Sequence, residues 1–344
     1  MKTLLLLTAA AVAALPFAGP APAAAEDKPV IALSNSFYGN TWRRQMVDAF
    51  TEQAEAAKAE GLIADFVVLN GDGSVAQQNS QLAELILRGV DAIAINAASD
   101  SALNDIVTRA CDAGITIVAF DSLLSADCAW KLGFDFTGYK TTQAEATLDL
   151  IGDKGNVLVV RGVSGSRPDA EMYAAQKAVL DQHPDVKIVA EVIGEATASV
   201  AQQAIANILP SLPPIDAVLG QGGSDDFGIA RAFEQYGGPY ADKMPVIEGG
   251  GSSDFVIWWN DLTKKQPDYE TTSMNTTPGI GGAAFWFAYD ITQGANPPKA
   301  IDMPVAVVDA ANLDATARDL EPGFIISPSY DHAWVTEHLT KSGS

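Results

Sequence analysis

The sequence predicts an α/β protein of two lobes, each built on a doubly wound parallel β-sheet. From Lys28 onward, short apolar runs rich in β-branched residues alternate with helical patterns, which is typical of successive βαβ units. The runs are apolar throughout, as expected for strands that are buried on both faces. Ten such runs are too many for one ordinary sheet of this kind, so a boundary between two lobes is predicted near Phe136–Tyr139.

Five predicted strands precede that boundary and five follow it. The first five are Val30–Ser34, Asp65–Leu69, Ala92–Asn96, Ile115–Phe120 and Lys131–Phe134. The second five are Asn156–Arg161, Lys187–Val192, Ala217–Gly220, Pro245–Glu248 and Glu270–Asn275. Helices are predicted at Trp42–Glu60, Ser74–Leu87, Asp100–Asp112, Thr141–Ile151, Asp169–Gln182, Ser199–Leu209, Asp226–Tyr236 and Gly279–Gln293. Ser99 or Asp100 is expected to cap the third helix.

Composition limits the class of protein. Hydrophobic residues make up 48% of the 344 and charged residues 19%, which supports a packed fold and argues against disorder. The formal net charge of −22 repels nucleic acid and anionic membrane surfaces, so neither is expected as a partner.

The first twenty-five residues have the pattern of a secretory signal peptide. Lys2 supplies the positive charge, Leu4–Ala14 is an apolar run, and Ala23–Ala25 is a small-residue cleavage site. A membrane anchor is the weaker alternative, because the run is shorter than the ~20 residues that span a bilayer. We therefore expect an exported, periplasmic protein that is cleaved near Ala25.

Two cysteines, Cys111 and Cys128, are expected to form a disulfide. Cys111 should end a helix and Cys128 should follow the next strand, so the chain runs out and can turn back towards the helix. The alternative is two separate buried thiols. A metal site is not expected, because the three histidines lie far from both cysteines and show no ligand spacing. No cofactor is expected either.

Polar residues follow several predicted strands. In open parallel sheets the ligand lies beyond the carboxyl ends of the strands, so these positions are candidate contacts. They hold amides, carboxylates, a guanidinium and aromatic rings: Asn35 to Arg43, Asp121 with Ser122, Ser164 to Arg167, Gln221 to Asp225, Gly249 to Ser252, and Asn275 to Thr277. Such groups suit a polyhydroxylated ligand, since carboxylates accept from hydroxyls and rings stack on C–H faces.

Several segments together make the chain similar to the ribose and galactose type of periplasmic sugar-binding protein, the solute receptors of ABC importers. They are Ser34 to Met46, Leu85 to Ile93, Ala113 to Asp121 and Pro278 to Gly281. The resemblance implies a type I periplasmic binding protein fold, with lobes joined by three hinge strands and closing on a monosaccharide. It places the hinges near Phe136–Gly138, Asn275–Thr277 and Val305–Asp309. The implied lobes are residues 26–137 plus 276–306 and residues 138–275 plus 307–344.

The resemblance also suggests individual contacts. Asn40 and Trp42 match the amide and stacking ring of the family, Asp121 matches its hydroxyl-accepting carboxylate, and Asn275 matches a polar hinge residue. Second-lobe positions depart from the family, so Arg167, Gln221 and Glu248 are only possible replacements, with Asp254 also considered. The candidate ligand-binding residues are Asn40, Trp42, Asp121, Asn275, Arg167, Phe37, Tyr38, Ser122, Gln221 and Glu248.

Structural roles compete with some of these assignments. Asn40 would also serve as a helix N-cap, Trp42 as a core aromatic residue and Asp121 as a turn residue. Asp135 is expected to border the hinge rather than bind the ligand.

The predicted function is that of a monomeric receptor for a small neutral sugar or polyol, delivering it to an ABC permease in the inner membrane. Two alternatives remain open: a receptor for a sugar-like signal that feeds a membrane kinase, and an exported sugar-processing enzyme with Asp121 and Glu248 as paired acids. The sequence argues against catalysis. Gly162–Gly165 lacks the Gly-x-Ser-x-Gly frame, and Gly249–Gly251 lacks the lysine of a phosphate loop.

Overall fold

A computed structural model of the protein describes residues 28–341. The first lobe is a six-stranded parallel sheet in the order β11-β5-β4-β3-β1-β2. Its strands are β1 Val30–Asn35, β2 Asp65–Asn70, β3 Ala92–Asn96, β4 Thr116–Phe120, β5 Trp130–Gly133 and β11 Ala300–Asp302. Its helices are α1 Thr41–Ala59, α2 Val75–Arg88, α3 Asn104–Asp112 and α9 Ile280–Thr292. Helices cover both faces, so the sheet is doubly wound as predicted.

The second lobe is a four-stranded parallel sheet in the order β7-β6-β8-β9. Its strands are β6 Gly155–Arg161, β7 Val186–Ile193, β8 Ala217–Leu219 and β9 Val246–Ile247. Its helices are α4 Phe136–Leu150, α5 Arg167–Leu180, α6 Ala198–Ile208, α7 Asp225–Tyr236, α8 Ser253–Thr263 and α10 Leu313–Arg318. A separate antiparallel pair, β10 Ser273–Asn275 with β12 Ala306–Val308, lies where the chain passes between the lobes.

The contact between α1 and α9 shows how sequence determines the packing of the first lobe. The α1 face that includes Met46 and Phe50 is fully buried, and Phe50 meets Phe285 edge-on at 5.4 Å. A Cβ on Gly281 would lie 2.0 Å from the Met46 carbonyl oxygen, so only glycine permits this close approach. The two helices therefore pack closely over one face of the first sheet.

Several element predictions need correction. The third helix begins at Asn104 rather than Asp100, because the Ser99 hydroxyl accepts from the backbone N–H of Ser101 and Ala102 and closes a turn instead. The helix predicted from Thr141 begins at Phe136, where the Asp135 carboxylate caps it by accepting from the Gly138 N–H at 2.8 Å. The prediction did not include α8, α10, β11, β12 or the C-terminal α11 His332–Val335.

The chain crosses between the lobes a fourth time through residues 323–330, which we call the strap. On one side, Gln45 of α1 exchanges two hydrogen bonds with the backbone of Ile325 (2.7 and 3.1 Å). On the other side, the Ile326 N–H donates to the Gly251 carbonyl (2.8 Å) and Ser253 N–H donates to the Phe324 carbonyl (2.8 Å). The strap is thus hydrogen-bonded to both lobes.

Beyond the strap, α11 and the π-helical turn Thr336–Thr340 pack on α9 in the first-lobe core. His332 stacks on Trp286 at 4.2 Å and bonds Asp290 at 2.7 Å. Residues 307–344 were all predicted to belong to the second lobe, and for residues 332–340 that prediction is wrong. The physical reason is that the apolar side chains of Val335 and Leu339 complete the first core.

The predicted disulfide is confirmed: Cys111, in the last turn of α3, is bonded to Cys128 in the loop before β5, with 6.4 Å between the Cα atoms. The predicted signal peptide, residues 1–25, and its cleavage point near Ala25 lie outside the described residues. Within residues 28–341, no helix has both the length and the apolar character needed to cross a membrane.

Candidate ligand-binding site

A cavity lies between the lobes, at the carboxyl ends of β1, β4, β6 and β8. The volume open to the centres of water molecules is about 80 Å³. The first lobe contributes Asn40, Trp42, Arg43 and Asp121. The linking segments contribute Phe136, Tyr139, Asn275 and Thr276. The second lobe contributes Gly162, Val163, Ser166, Pro168, Asp169, Met172, Ala196 and Gln221–Gly223.

A buried ion pair forms the polar part of the first-lobe wall. The Arg43 guanidinium lies 3.5 Å from the Asp121 carboxylate, which also accepts from the Asn96 amide at 3.0 Å. Burial raises the pKa of the Asp121 carboxyl above its usual value, and the neighbouring Arg43 charge opposes that shift. Asp121 has a backbone φ of 54°, a strained conformation for a residue other than glycine. The Asp121 carboxylate is therefore held at the cavity edge at a cost in both desolvation and backbone strain.

Asn40 and Trp42 begin α1 beside this pair. The Asn40 side-chain oxygen caps the helix by accepting from the Arg43 N–H at 2.8 Å, so the structural role considered for Asn40 is present. Its amide nitrogen has no partner among the described residues. The Trp42 indole N–H donates to the Thr276 carbonyl at 2.8 Å, which links the first helix to a crossing segment. Trp42 therefore offers a fixed, mostly buried ring to the cavity.

The crossing segments close one side of the cavity. The Asn275 amide donates to the carbonyls of Thr276 and Ile326, both at 2.9 Å, so it ties the second crossing to the strap. Phe136 and Tyr139 of α4 present aromatic surface, and the Tyr139 hydroxyl donates to the Met172 sulfur at 2.8 Å. Burial raises the pKa of Tyr139 well above its usual value, so this hydroxyl stays protonated at neutral pH.

The second-lobe wall is held by bonds within its own lobe. Gln221 accepts from the Gly162 N–H (2.8 Å) and donates to the Asp169 carbonyl (3.2 Å). The Asp169 carboxylate accepts two hydrogen bonds from the Arg161 guanidinium, from Nε at 2.8 Å and from NH2 at 2.6 Å, and a third from the Gly162 N–H at 3.1 Å. At Gly223 (φ 74°) a Cβ would lie 2.5 Å from the Ala196 carbonyl oxygen, which requires glycine there.

Two buried carboxyl groups, those of Asp225 and Asp226, hold the loops behind the second-lobe wall by accepting hydrogen bonds from their backbone N–H groups. Asp225 accepts from the N–H groups of Gln221 and Gly222, each at 3.2 Å. Burial, and then the adjacent Asp226, raise the pKa of Asp225 to about 7. Asp226 accepts from the N–H groups of Gly250 (2.7 Å) and Ser252 (3.2 Å), and burial raises its pKa to about 6.

Glu248, a candidate contact from the sequence, lies in a buried ion pair away from the cavity lining. Lys140 of α4 is 3.3 Å from the Glu248 carboxylate, and the two side chains are 1% and 0% exposed. Lys140 and Gln176 both donate to the Gly220 carbonyl, at 2.8 and 2.7 Å. This cluster positions the Gln221 loop rather than facing a ligand. Glu248 and Asp121 therefore do not form a pair of acids across the cavity.

The structure brings five predicted site residues together: Asn40, Trp42, Asp121, Gln221 and Asn275. Five others lie outside the cavity lining: Phe37, Tyr38, Ser122, Arg167 and Glu248.

Apart from Glu248, which is described above, the four predicted site residues outside the cavity lining occupy other positions. Phe37 forms a bridge with Asp72, and Tyr38 is 38% exposed. The Ser122 hydroxyl donates to the Ala97 carbonyl at 2.8 Å. Arg167 pairs with Glu171 one turn along α5, at 2.6 Å.

Sequence reasoning included Arg43 only as the end of the candidate loop Asn35 to Arg43 and did not single it out, and it missed Phe136, Tyr139, Asp169 and Met172 as contacts, although all five line the cavity. Arg43 had a usable signal, since it lies in the first turn of a helix that starts at the sheet edge. Asp254, weighed as a replacement contact, instead accepts from the strap N–H of Gly323 at 2.8 Å. Within the described range, no group of three or more His, Cys, Asp or Glu side chains is arranged to hold a metal ion.

Comparison with known proteins places this cavity in a family context. The chain is 27% identical over 200 residues to a xylitol-binding protein of Mycolicibacterium smegmatis, covering 58% of this chain and 56% of the relative. The chain thus spans just over half the length of that curated relative. It is 23% identical over 304 residues to a ribose import binding protein of Bacillus subtilis, covering 88% and 94% of the two chains.

A solved structure shows the same fold. The crystal structure of an ABC transporter solute binding protein from Thermobispora bispora is 37% identical, with a TM-score of 0.84, and the alignment covers 91% of this chain and 95% of that one. The type I fold inferred from the sequence is confirmed. The model of the periplasmic binding protein domain matches residues 31–296, and the chain therefore belongs to the periplasmic binding protein family.

Proposed function

We propose that the protein is the periplasmic solute-binding component of an ABC sugar importer and that it binds a monosaccharide or sugar alcohol between its lobes. The buried Arg43–Asp121 pair at the cavity is the observation that carries the proposal. The guanidinium and the carboxylate balance each other, so the pair favours a neutral ligand. One ligand hydroxyl can accept from Arg43 while a hydroxyl donates to Asp121.

The size and walls of the cavity support a small polyhydroxylated ligand. A cavity with about 80 Å³ open to the centres of water molecules suits a monosaccharide or an alditol better than a disaccharide. Trp42, Phe136 and Tyr139 supply rings for the C–H faces of such a ligand. Relatives of this chain are described as binding xylitol and ribose.

The proposal includes no catalysis. Glu248 is buried in an ion pair with Lys140 away from the cavity, and Asp169 is ion-paired with Arg161, so Asp121 faces no second unpaired carboxyl among the lining residues. The same proposal includes export, cleavage near Ala25, a monomeric state and docking on a permease of the inner membrane.

A thermal-shift screen of the purified protein tests this function. Pentoses, hexoses and their alcohols are added singly, and a ligand at a hundred times its Kd should add about 2.7 kcal/mol of stability. The stabilising sugar is then incubated with the protein and followed by mass spectrometry and NMR. The proposal would be overturned if no sugar stabilises the protein, or if the stabilising sugar is chemically converted.

A further inference from the structure

The two walls of the cavity differ in the groups that they present to a ligand. On the first lobe, Arg43 bonds Asn35 through NH1 (3.3 Å) and Asp121 through NH2 (3.5 Å), while its Nε–H has no partner among the described residues. A carboxylate has about four acceptor sites, and the contacts of Asp121 leave room for a hydroxyl. The Asn40 amide nitrogen is also unused within the described chain.

On the second lobe, the polar side chains that line the cavity are partly engaged within that lobe, while Gln221 keeps one amide N–H and Ser166 its hydroxyl hydrogen without a partner among the described residues. Asp169 is held by Arg161 and Gly162, and both ends of Gln221 are bonded to the backbone. The Ser166 hydroxyl accepts from the Asp169 N–H as the cap of α5. Beside these polar groups, the wall presents an apolar surface to a ligand.

That apolar surface is formed by Val163, Pro168 and Met172, with the Tyr139 ring beside it. Met172 is buried, and its sulfur already receives the Tyr139 hydroxyl at 2.8 Å. Val163, Pro168 and Met172 offer no side-chain N–H or O–H donor, and the Tyr139 hydroxyl oxygen is the one side-chain oxygen of this surface that can accept from a ligand. A ligand hydroxyl placed here therefore loses water for at most one side-chain hydrogen bond, whereas a methyl or thioether group gains contact.

We propose that the cavity prefers a deoxy or alkyl-substituted sugar, with adjacent hydroxyls on Arg43 and Asp121 and a methyl, methylene or thioether edge against Met172. This inference rests on the proposed sugar-binding function and narrows it. An apolar pocket disfavours one added hydroxyl by on the order of 10²-fold, so the preference is expected to be tenfold or more.

Titration calorimetry with matched sugars tests it. Each pair differs by one hydroxyl: D-fucose against D-galactose, L-rhamnose against L-mannose, and 5-deoxy-D-ribose against D-ribose. In the pair that binds, the deoxy sugar is expected to bind at least tenfold more tightly. If the hydroxylated member binds equally well or better in every pair that binds, this inference is overturned while the sugar-receptor function stands. If no sugar binds, the proposed function fails and this inference with it.

Substitutions in the apolar surface test whether that surface causes the preference for the deoxy sugar. Met172→Gln supplies a partner for a hydroxyl and should reduce the preference to less than threefold, whereas Met172→Leu keeps the wall apolar and should preserve it. Met244→Leu, in the second-lobe core away from the cavity, is the control for packing. Val163→Thr, a substitution of similar size, replaces Met172→Gln should the latter not fold. An unchanged preference in the folded polar variant would overturn the assignment to this surface.

Discussion

Replacing Asp225 by asparagine should flatten the dependence of stability on pH. Burial and the adjacent Asp226 raise the pKa of Asp225 from 3.8 to about 7, while Lys140 opposes this. Between these values the folded state binds more protons than the unfolded state, so stability falls as pH rises. At 1.36 kcal/mol for each pH unit, and with the folded group half-titrated at pH 7, the loss of stability from pH 4.5 to pH 7 is about 3 kcal/mol.

Urea unfolding at half-unit intervals from pH 4.5 to 8 measures this effect. The parent protein should lose stability on going from pH 4.5 to 7, and Asp225→Asn should lose about 3 kcal/mol less. Asp226, whose pKa is about 6, keeps a smaller slope of the same sign in both proteins. Asp268→Asn, at an exposed position, is the matched control and should follow the parent. Identical slopes for Asp225→Asn and the parent would refute the argument that this carboxyl is held at a cost under the cavity wall.

Three further outcomes are expected. Asp121→Asn should weaken sugar binding by about 1.5–3 kcal/mol in calorimetry, because it removes a charge-assisted hydrogen bond beside Arg43, and parent-like affinity would place the ligand elsewhere. Reducing the Cys111–Cys128 disulfide should cost roughly 3 kcal/mol of unfolding free energy, and thiol titration of the denatured, unreduced chain should find no reactive thiol. Glu248→Gln should destabilise the fold by about 3–5 kcal/mol because Lys140 is left buried and unpaired, and a thermal melt like that of the parent would contradict this.

Sequence patterns predicted the strands well and the helix ends less well. The buried strands β1 and β3 are continuous apolar runs, which is why their predicted limits are within one residue of the structure. The helix α8, Ser253–Thr263, follows three glycines and is apolar on most sides, with Phe255 and Trp259 buried, so it gives no clear helical period.

The limits of the site prediction are also physical. Asp121 and Trp42 were accessible to sequence reasoning because Asp121 directly follows β4 and Trp42 begins the helix that follows β1, and the carboxyl ends of these strands meet at one sheet edge. The prediction for Glu248 failed because its partner Lys140 lies 108 residues away, and no local pattern reveals such a pair. Met172 on α5 resembles an ordinary core residue in the sequence, and only the tertiary fold brings it to the cavity.

The fourth crossing has a consequence for the order in which the chain can fold. The first-lobe core combines residues 31–139 with Ile280–Ile291, Met303 and residues from Ile325 to Leu339. During synthesis, which proceeds from the amino terminus, β1 to β5 emerge long before the last of these segments. The sheet of the first lobe must therefore wait with part of its apolar face uncovered until α9 and α11 have both been made. A chain that stops before the strap would lack Ile325, Val335 and Leu339, so the lobe made first is the lobe completed last.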